Sequence, residues 1–98
     1  MSVGERPVFE VRLRSKRVQR ELGSLQETDH ERVIAKLMVL EADPRPQGCE
    51  KLYDDIYRLR VGDIRIIYLI DGGNKRIEVG GIRRRSERTY KWLENLFR

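Results

Sequence analysis

Three arginines flank one short turn, and their spacing is the feature of this sequence best suited to chemistry. The dipeptide Gly62-Asp63 separates two apolar runs and is typical of a two-residue β-hairpin turn, so the residues on either side of it should pair. Arg60 is then opposite Arg65 on the neighbouring strand. Arg58 lies on the same face as Arg60, because side chains alternate along a strand. The pattern therefore predicts three guanidinium groups in one place.

Such a cluster has two interpretations. Like charges opposite each other destabilise a strand pair, and a domain of this size has little stability to lose, which favours a bound anion between them. Alternatively, Arg58 and Arg60 form the solvent-facing half of an amphipathic strand, and Arg65 pairs with Glu78 on the next strand.

The following hairpin adds detail to the first interpretation. It predicts Gly80 or Gly81 beside Arg65, where a missing side chain leaves room for a ligand or a backbone. The basic run Arg83-Arg84-Arg85 then leaves the sheet at the same end.

The charge of the chain is uneven. Lys+Arg 21 against Asp+Glu 16 give a net charge of +5, yet residues 1–54 carry ten basic and ten acidic side chains, so the excess lies in residues 55–98. The basic residues are 16 Arg and only 5 Lys, which favours bidentate contact with phosphate. This asymmetry indicates a polyanionic partner, nucleic acid first, with a solubilising surface as the alternative.

Several function classes are excluded early. A single cysteine, Cys49, and a single histidine, His30, make a disulfide, a zinc site or thiol catalysis improbable, and we expect no metal and no cofactor. No window approaches the roughly 20 apolar residues of a membrane span, and Met1 to Val11 contain no apolar h-region. We expect one domain, residues 1–98, acting in the cytoplasm without membrane contact.

The elements that position the arginines follow from periodicity. Val8 to Leu13 alternates as a strand with Phe9, Val11 and Leu13 buried. Ser15 caps a short helix, and a capping box at Thr28 opens a second helix that ends at Asp43-Pro44. The second helix has an apolar stripe of Val33, Ile34, Leu37, Met38 and Leu40.

A strand meander and a last helix complete the chain. The strands are Ile56 to Val61, Ile64 to Ile70 and Lys75 to Ile82, with Asp71-Gly72-Gly73-Asn74 as the second turn. Ser86 caps the C-terminal helix, whose apolar stripe contains Tyr90, Trp92, Leu93, Leu96 and Phe97.

Residues 55–68, DIYRLRVGDIRIIY, and residues 83–90, RRRSERTY, resemble the RelE/ParE superfamily of bacterial toxins, and the second motif favours the RelE branch. The resemblance implies an α+β fold of order β-α-α-β-β-β(-α), with an antiparallel sheet packed on a helical hairpin and a C-terminal helix. It also implies a type II toxin that a cognate antitoxin holds inactive. In the RelE branch the activity is cleavage of mRNA in the A site of the 70S ribosome.

The resemblance also implies site residues. The catalytic set falls on Arg58, Arg60, Arg65, Arg84 and Tyr90. Further RNA-binding residues are Arg83, Arg85, Arg88 and Lys91, and the antitoxin-binding residues are Trp92, Leu93, Leu96 and Phe97. The choice of Arg84 as the late arginine depends on a one-residue alignment shift within the run 83–85.

This chain has arginine at positions 58 and 60, where well-studied members have lysine. Arginine keeps its proton at working pH, so neither residue is the general base. Tyr90 is the first candidate for proton transfer or for stacking on a base, followed by Glu87 and Lys91. Two alternatives stay open: a ParE-like DNA gyrase inhibitor that acts by binding, and a RelE homologue with weakened activity.

Overall fold

The computed structural model describes residues 8–84 and Phe97. Two helices and five strands follow one another along residues 10–84. Their bounds are β1 Glu10–Leu13, α1 Lys16–Gly23, α2 Glu27–Ala42, β2 Cys49–Tyr53, β3 Ile56–Val61, β4 Ile64–Asp71 and β5 Arg76–Arg84. The predicted helix at residues 86–98, with its cap Ser86, lies outside the described residues except for Phe97.

The strands form one sheet in the order β1-β5-β4-β3-β2. Strands β2 to β5 make an antiparallel meander, as predicted for its last three strands. Two features differ from the sequence-based expectation. The edge strand β1 runs parallel to β5, so the sheet is mixed, and the additional strand β2 occupies the other edge. Alternation of side chains identifies a strand but not the direction of its neighbour, and none of the five residues of β2 is buried.

The helical hairpin forms largely as predicted. The Ser15 hydroxyl accepts a hydrogen bond from the Val18 N–H at the start of α1, and Val18 and Leu22 are buried. Helix α2 begins at Glu27 rather than after Thr28, and Gln26 caps it without a side-chain bond, so the predicted capping box does not form.

The apolar stripe of α2 is narrower than predicted. Val33, Leu37 and Leu40 are buried, whereas Met38 is 62 % exposed. Position 38 is one residue past Leu37, about 100° round the helix, and so faces away from the sheet.

Both faces of the sheet carry apolar side chains. The face against α1 and α2 holds the main core, in which Leu59, Ile66, Tyr68, Ile77 and Val79 are at most 1 % exposed. On the opposite face a smaller cluster is formed by Ile56, Ile67, Leu52, Leu69 and Phe97. We call this second face the open face. It carries the predicted site, because the arginine positions alternate with the core positions of β3 and β4.

Candidate functional site

The β3–β4 turn fixes the register of the site. Val61 pairs with Ile64 and Arg60 pairs with Arg65, which confirms the predicted hairpin. Gly62 has φ of 61°, a left-handed conformation that glycine adopts without strain. Arg58 pairs with Ile67, two residues along the same face. The structure therefore places Arg58, Arg60 and Arg65 together on the open face.

The third strand of the row differs from the prediction. Arg65 pairs with Arg83, not with Gly80 or Gly81, so arginines occupy equivalent positions on three neighbouring strands. The β4–β5 turn pairs Asp71 with Arg76, a register that would bring Ile82 beside Arg65. A β-bulge in β5 then adds one residue: Ile67 pairs with Gly81 and Tyr68 with Val79, which leaves Gly80 as the extra residue. We call Arg60, Arg65 and Arg83 the arginine row.

Arg58 lies next to the row and is held by a carboxylate. Glu50 of β2 is its cross-strand partner, and the Arg58 Nη2 atom donates to Glu50 Oε1. The Arg58 side chain is only 16 % exposed, whereas that of Glu50 is 59 % exposed. Sequence reasoning missed Glu50 because β2 was not predicted, so nothing placed residue 50 beside the arginines.

Arg83 is held from the other side by Glu21 of α1. The Arg83 Nη2 atom lies 2.9 Å from Glu21 Oε2, and both side chains are less than one-fifth exposed. Glu21 also accepts from the Ile82 N–H at 3.0 Å and from Arg17 at 2.8 Å. Strand β1 pairs only with residues 76–79 of β5. The Glu21 carboxylate therefore serves as the hydrogen-bond acceptor for the Ile82 N–H, which β1 does not reach.

Arg17 completes this edge network. Its Nη2 atom donates to the Gly80 carbonyl at 2.9 Å, on the bulge itself. Helix α1 thus holds the bulge through Arg17 and the end of the arginine row through Glu21. The i, i+4 spacing of these two residues is visible in the sequence, but their contact with β5 is not.

The structure places Arg84 on the other side of the sheet from Arg58, Arg60 and Arg65. Arg84 pairs with Ile64, a core position, and therefore lies on the helix side of the sheet. Its Nη2 atom is 3.4 Å from Asp29 Oδ2 of α2. Within the run 83–85, Arg83 continues the row and Arg84 does not, and Arg85 lies outside the described residues.

A shallow cleft separates α1 from the end of β5. Its volume is about 190 Å³, and its lining is formed by Glu21, Ser24, Leu25, Ile82, Arg83 and Arg84. The cleft adjoins the arginine row, so a ligand of the row has open space beside it.

Phe97 contacts the apolar end of the open face. Its ring packs against Ile56 and Ile67, and a Cβ built on Gly80 would lie 2.6 Å from the ring. The Arg14 guanidinium donates to the Phe97 carbonyl at 2.6 Å and sits 5.7 Å from the ring centroid. The remaining predicted residues lie outside the described part of the chain: Arg85, Arg88, Tyr90, Lys91, Trp92, Leu93 and Leu96.

Two features of the described residues bear on other functions. Within residues 8–84 and Phe97, no three His, Cys, Asp or Glu side chains converge in a way that could bind a metal ion. The same part of the chain contains no helix with the length and apolarity needed to span a bilayer.

Carboxylates contact part of the arginine cluster on the open face. Arg58 and Arg83 each have a carboxylate partner, whereas Arg60 is exposed at the end of β3. Arg60 and Arg65 are direct neighbours across the ladder, an arrangement that a sheet tolerates poorly without an anion. Guanidinium N–H donors are suited to contact a phosphate or another oxyanion.

The sequence comparison decides the family. A profile described as the ParE toxin of a type II toxin-antitoxin system, parDE, matches residues 13–89. The chain belongs to this toxin family. The comparison with curated protein sequences gives no match.

Solved structures of RelE toxins share the fold of this toxin. The archaeal RelE-RelB complex from Pyrococcus horikoshii OT3 matches with a TM-score of 0.75 and 29 % identity, over 82 % of this chain and 98 % of that one. The toxin-antitoxin complex RelBE2 from Mycobacterium tuberculosis matches with a TM-score of 0.69 and 20 % identity, over 81 % and 99 %. The intact E. coli RelBE complex matches with a TM-score of 0.63 and 23 % identity, over 84 % and 99 %. The chain is thus a type II toxin of the RelE/ParE superfamily.

Proposed function

We propose that this toxin is a ribosome-dependent endoribonuclease that cleaves mRNA in the A site of the 70S ribosome and so inhibits translation. The observation that carries the proposal is the arginine row, in which arginines occupy paired positions on three neighbouring strands. A protein that acted only by covering a partner would have no need for like charges at directly paired positions.

The chemistry assigned to the row is stabilisation of the scissile phosphate. In metal-free RNA cleavage the ribose 2′-oxygen attacks the adjacent phosphorus, and negative charge accumulates on the phosphate oxygens. Arg58, Arg60, Arg65 and Arg83 are suited to that charge because their planar N–H groups contact two oxygens at once. Tyr90 is assigned to stacking on a base or to proton transfer, with Arg84, Arg85, Arg88 and Lys91 as further RNA contacts.

The ribosome is proposed to supply much of the substrate alignment. The cleft beside the row is shallow and holds about 190 Å³, too little to enclose a nucleotide and its neighbours. Holding the message in the decoding site converts the attack into an effectively intramolecular step. We accordingly assign the toxin to the cytoplasm.

A cognate antitoxin is proposed as the second partner. The matching RelE structures from P. horikoshii, M. tuberculosis and E. coli include complexes with an antitoxin. The apolar C-terminal residues Trp92, Leu93, Leu96 and Phe97 are proposed to leave the sheet so that an antitoxin segment packs there instead. Hydrogen exchange over residues 86–98 tests this: equal protection in the free and bound toxin contradicts the proposal.

A second function is favoured by one observation. The matching profile is that of ParE toxins, which points to inhibition of DNA gyrase by binding. Purified toxin distinguishes the two functions when it is added separately to programmed ribosomes and to a gyrase supercoiling reaction. Cut message with normal supercoiling supports the nuclease, and blocked supercoiling with intact message supports the gyrase inhibitor.

A further inference from the structure

One carboxylate of the first helix connects that helix to the arginine row. Glu21 of α1 lies beside the part of β5 that β1 does not reach. Its Oε2 atom is 2.9 Å from Arg83 Nη2, and the side chains of Glu21 and Arg83 are both less than one-fifth exposed. Salt screens such a partly buried ion pair less than an exposed one, so the contact should persist at physiological ionic strength.

The Glu21 carboxylate is itself fixed relative to β5. Its Oε1 atom accepts from the Ile82 N–H at 3.0 Å, one residue before Arg83 in the same strand. Its Oε2 atom also accepts from Arg17 at 2.8 Å, and Arg17 donates in turn to the Gly80 carbonyl at 2.9 Å. Two side chains of α1 therefore hold the bulge, the strand that follows it and the arginine which that strand contributes to the row.

The charge of Glu21 opposes the repulsion within the row. Arg83 is paired with Arg65, which is paired on its other side with Arg60, and like charges at paired positions repel each other. The carboxylate beside Arg83 favours the placement of a third guanidinium there. A guanidinium has five N–H donors, so one arginine can contact a carboxylate and a phosphate at the same time.

Glu21 is not suited to contact the message directly. A carboxylate repels a phosphate, and both oxygens of Glu21 already accept hydrogen bonds from the protein. Any effect of Glu21 on cleavage should therefore pass through the arginine that it holds.

We propose that Glu21 is a positioning residue for the cleavage reaction, an inference that rests on the nuclease function proposed above. It holds the Arg83 guanidinium where negative charge accumulates on the scissile phosphate. Loss of its charge should let Arg83 move away from Arg65. A displacement of about 1 Å in a reacting site lowers a rate by about 100-fold, so a residue that never touches the substrate can have a large effect.

The test is single-turnover cleavage of mRNA on programmed ribosomes by full-length wild-type and variant toxin. Glu21→Gln keeps an oxygen for the Ile82 N–H but loses the charge, and it should lower the rate of the cleavage step by about 10- to 100-fold. Its affinity for ribosomes programmed with a 2′-deoxy message, which cannot be cut, should stay within about threefold of wild type, because no group that touches the message is lost. Glu21→Asp keeps the charge on a shorter side chain and should cut at a rate between the two. It carries the same test if Glu21→Gln does not fold.

A double-mutant cycle with Arg83→Ala distinguishes positioning from a general effect on the fold. If Glu21 acts through Arg83, adding Glu21→Gln to Arg83→Ala should lower the remaining rate by less than about twofold. If Glu21 acts by another route, the losses of the two single variants should multiply.

Glu78→Gln is the matched control. The Glu78 side chain is 21 % exposed and contacts Arg14, away from the row, so this variant should cut at the wild-type rate. If wild-type toxin cuts and Glu21→Gln cuts equally fast or faster, the assignment of Glu21 is overturned while the nuclease function stands. Multiplying losses in the cycle, or a parallel loss of affinity and rate, also overturn it. If wild-type toxin leaves the message intact, the nuclease function fails and the inference fails with it.

Discussion

Arg60 of β3 and Arg65 of β4 are direct cross-strand partners, and Arg83 of β5 pairs with Arg65 on its other side. A row of like charges across three strands costs stability in the absence of an anion. The arginine row lies at the end of the sheet where Arg83 lines the cleft. Under the proposed function, this row is the part of the open face that contacts the phosphate of the message.

The first prediction concerns the cost of this row. Arg60→Ala removes one of the facing charges from an exposed position and should raise the free energy of unfolding by about 0.2 to 1 kcal/mol in low salt. The gain should shrink in high salt, because salt screens exposed charges. Urea denaturation at two ionic strengths measures both effects. Lys51→Ala, at an exposed position of β2, is the control. A destabilised Arg60→Ala variant contradicts the account.

The second prediction separates two adjacent arginines. Arg83→Ala should lower the cleavage rate by about 100- to 1000-fold, the usual effect of removing one organised donor. Arg84→Ala should lower it by less than about tenfold, because an exposed ion pair contributes little. Both variants should fold, since Glu21 keeps Arg17 and the Ile82 N–H as partners. A larger loss of cleavage rate for Arg84→Ala than for Arg83→Ala would show that Arg84, and not Arg83, belongs to the site.

The sequence predicted the first half of the row and missed the second for a physical reason. Gly62-Asp63 is a turn whose length fixes the pairing of Arg60 with Arg65. The second turn pairs Asp71 with Arg76, which by itself would bring Ile82 beside Arg65, and a bulge at Gly80 displaces every later pair by one further residue, so that Arg83 pairs with Arg65. A glycine pair in a strand signals irregularity but does not show which residue is extra.

The other features that the sequence did not predict depend on contacts between residues far apart in the chain. Glu50 and Glu21 meet the arginines only because β2 and α1 lie at opposite edges of the meander. Neither residue has a local signal for that position. The parallel pairing of β1 with β5 has the same cause, since the whole helical hairpin separates the two strands along the chain. Local patterns determined the elements, whereas tertiary packing determined their neighbours.

The third prediction concerns the buried hydroxyl of Tyr68, which donates to the Pro44 carbonyl at 2.8 Å. Burial raises the pKa of Tyr68 above its ordinary value. The folded state therefore favours the neutral phenol, and its contribution to stability is complete below the unfolded pKa of about 10 and is lost as the pH rises above it.

Tyr68→Phe tests this linkage. The variant should lose about 0.5 to 1.5 kcal/mol of stability at neutral pH with the hydrogen bond. Its free energy of unfolding should also fall less steeply than that of wild type above pH 10, as measured by urea denaturation. Tyr53→Phe, at a residue 39 % exposed, is the control and should follow wild type. Parallel alkaline slopes for wild type and Tyr68→Phe would contradict the assignment.

The fourth prediction uses the contact between Gly80 and Phe97. A methyl group at position 80 would lie 2.6 Å from the ring, so Gly80→Ala should displace Phe97 from the open face and cost about 1 to 3 kcal/mol. Adding Phe97→Ala should recover part of that loss. Gly23→Ala is the control, because a Cβ there meets nothing within 4 Å. Thermal unfolding measures all of these variants, and an unchanged midpoint for Gly80→Ala would place Phe97 elsewhere.

The same variant bears on the antitoxin. If the antitoxin must displace Phe97, a toxin in which Phe97 is already displaced should bind it more tightly, because the displacement no longer opposes binding. Titration calorimetry of wild type and Gly80→Ala with the cognate antitoxin gives the two affinities. Weaker binding by Gly80→Ala would show that Phe97 in its present position helps to form the antitoxin site.

The central claim is that the arginine row binds the phosphate at which the message is cut. The most direct measurement is brief induction of the toxin in cells followed by mapping of mRNA 5′ ends, for wild type and for the Arg60→Ala/Arg65→Ala variant. We predict new 5′ ends in frame with translated codons for wild type and their absence for the variant. Growth arrest without new ends, or equal cutting by the folded variant, would contradict the account.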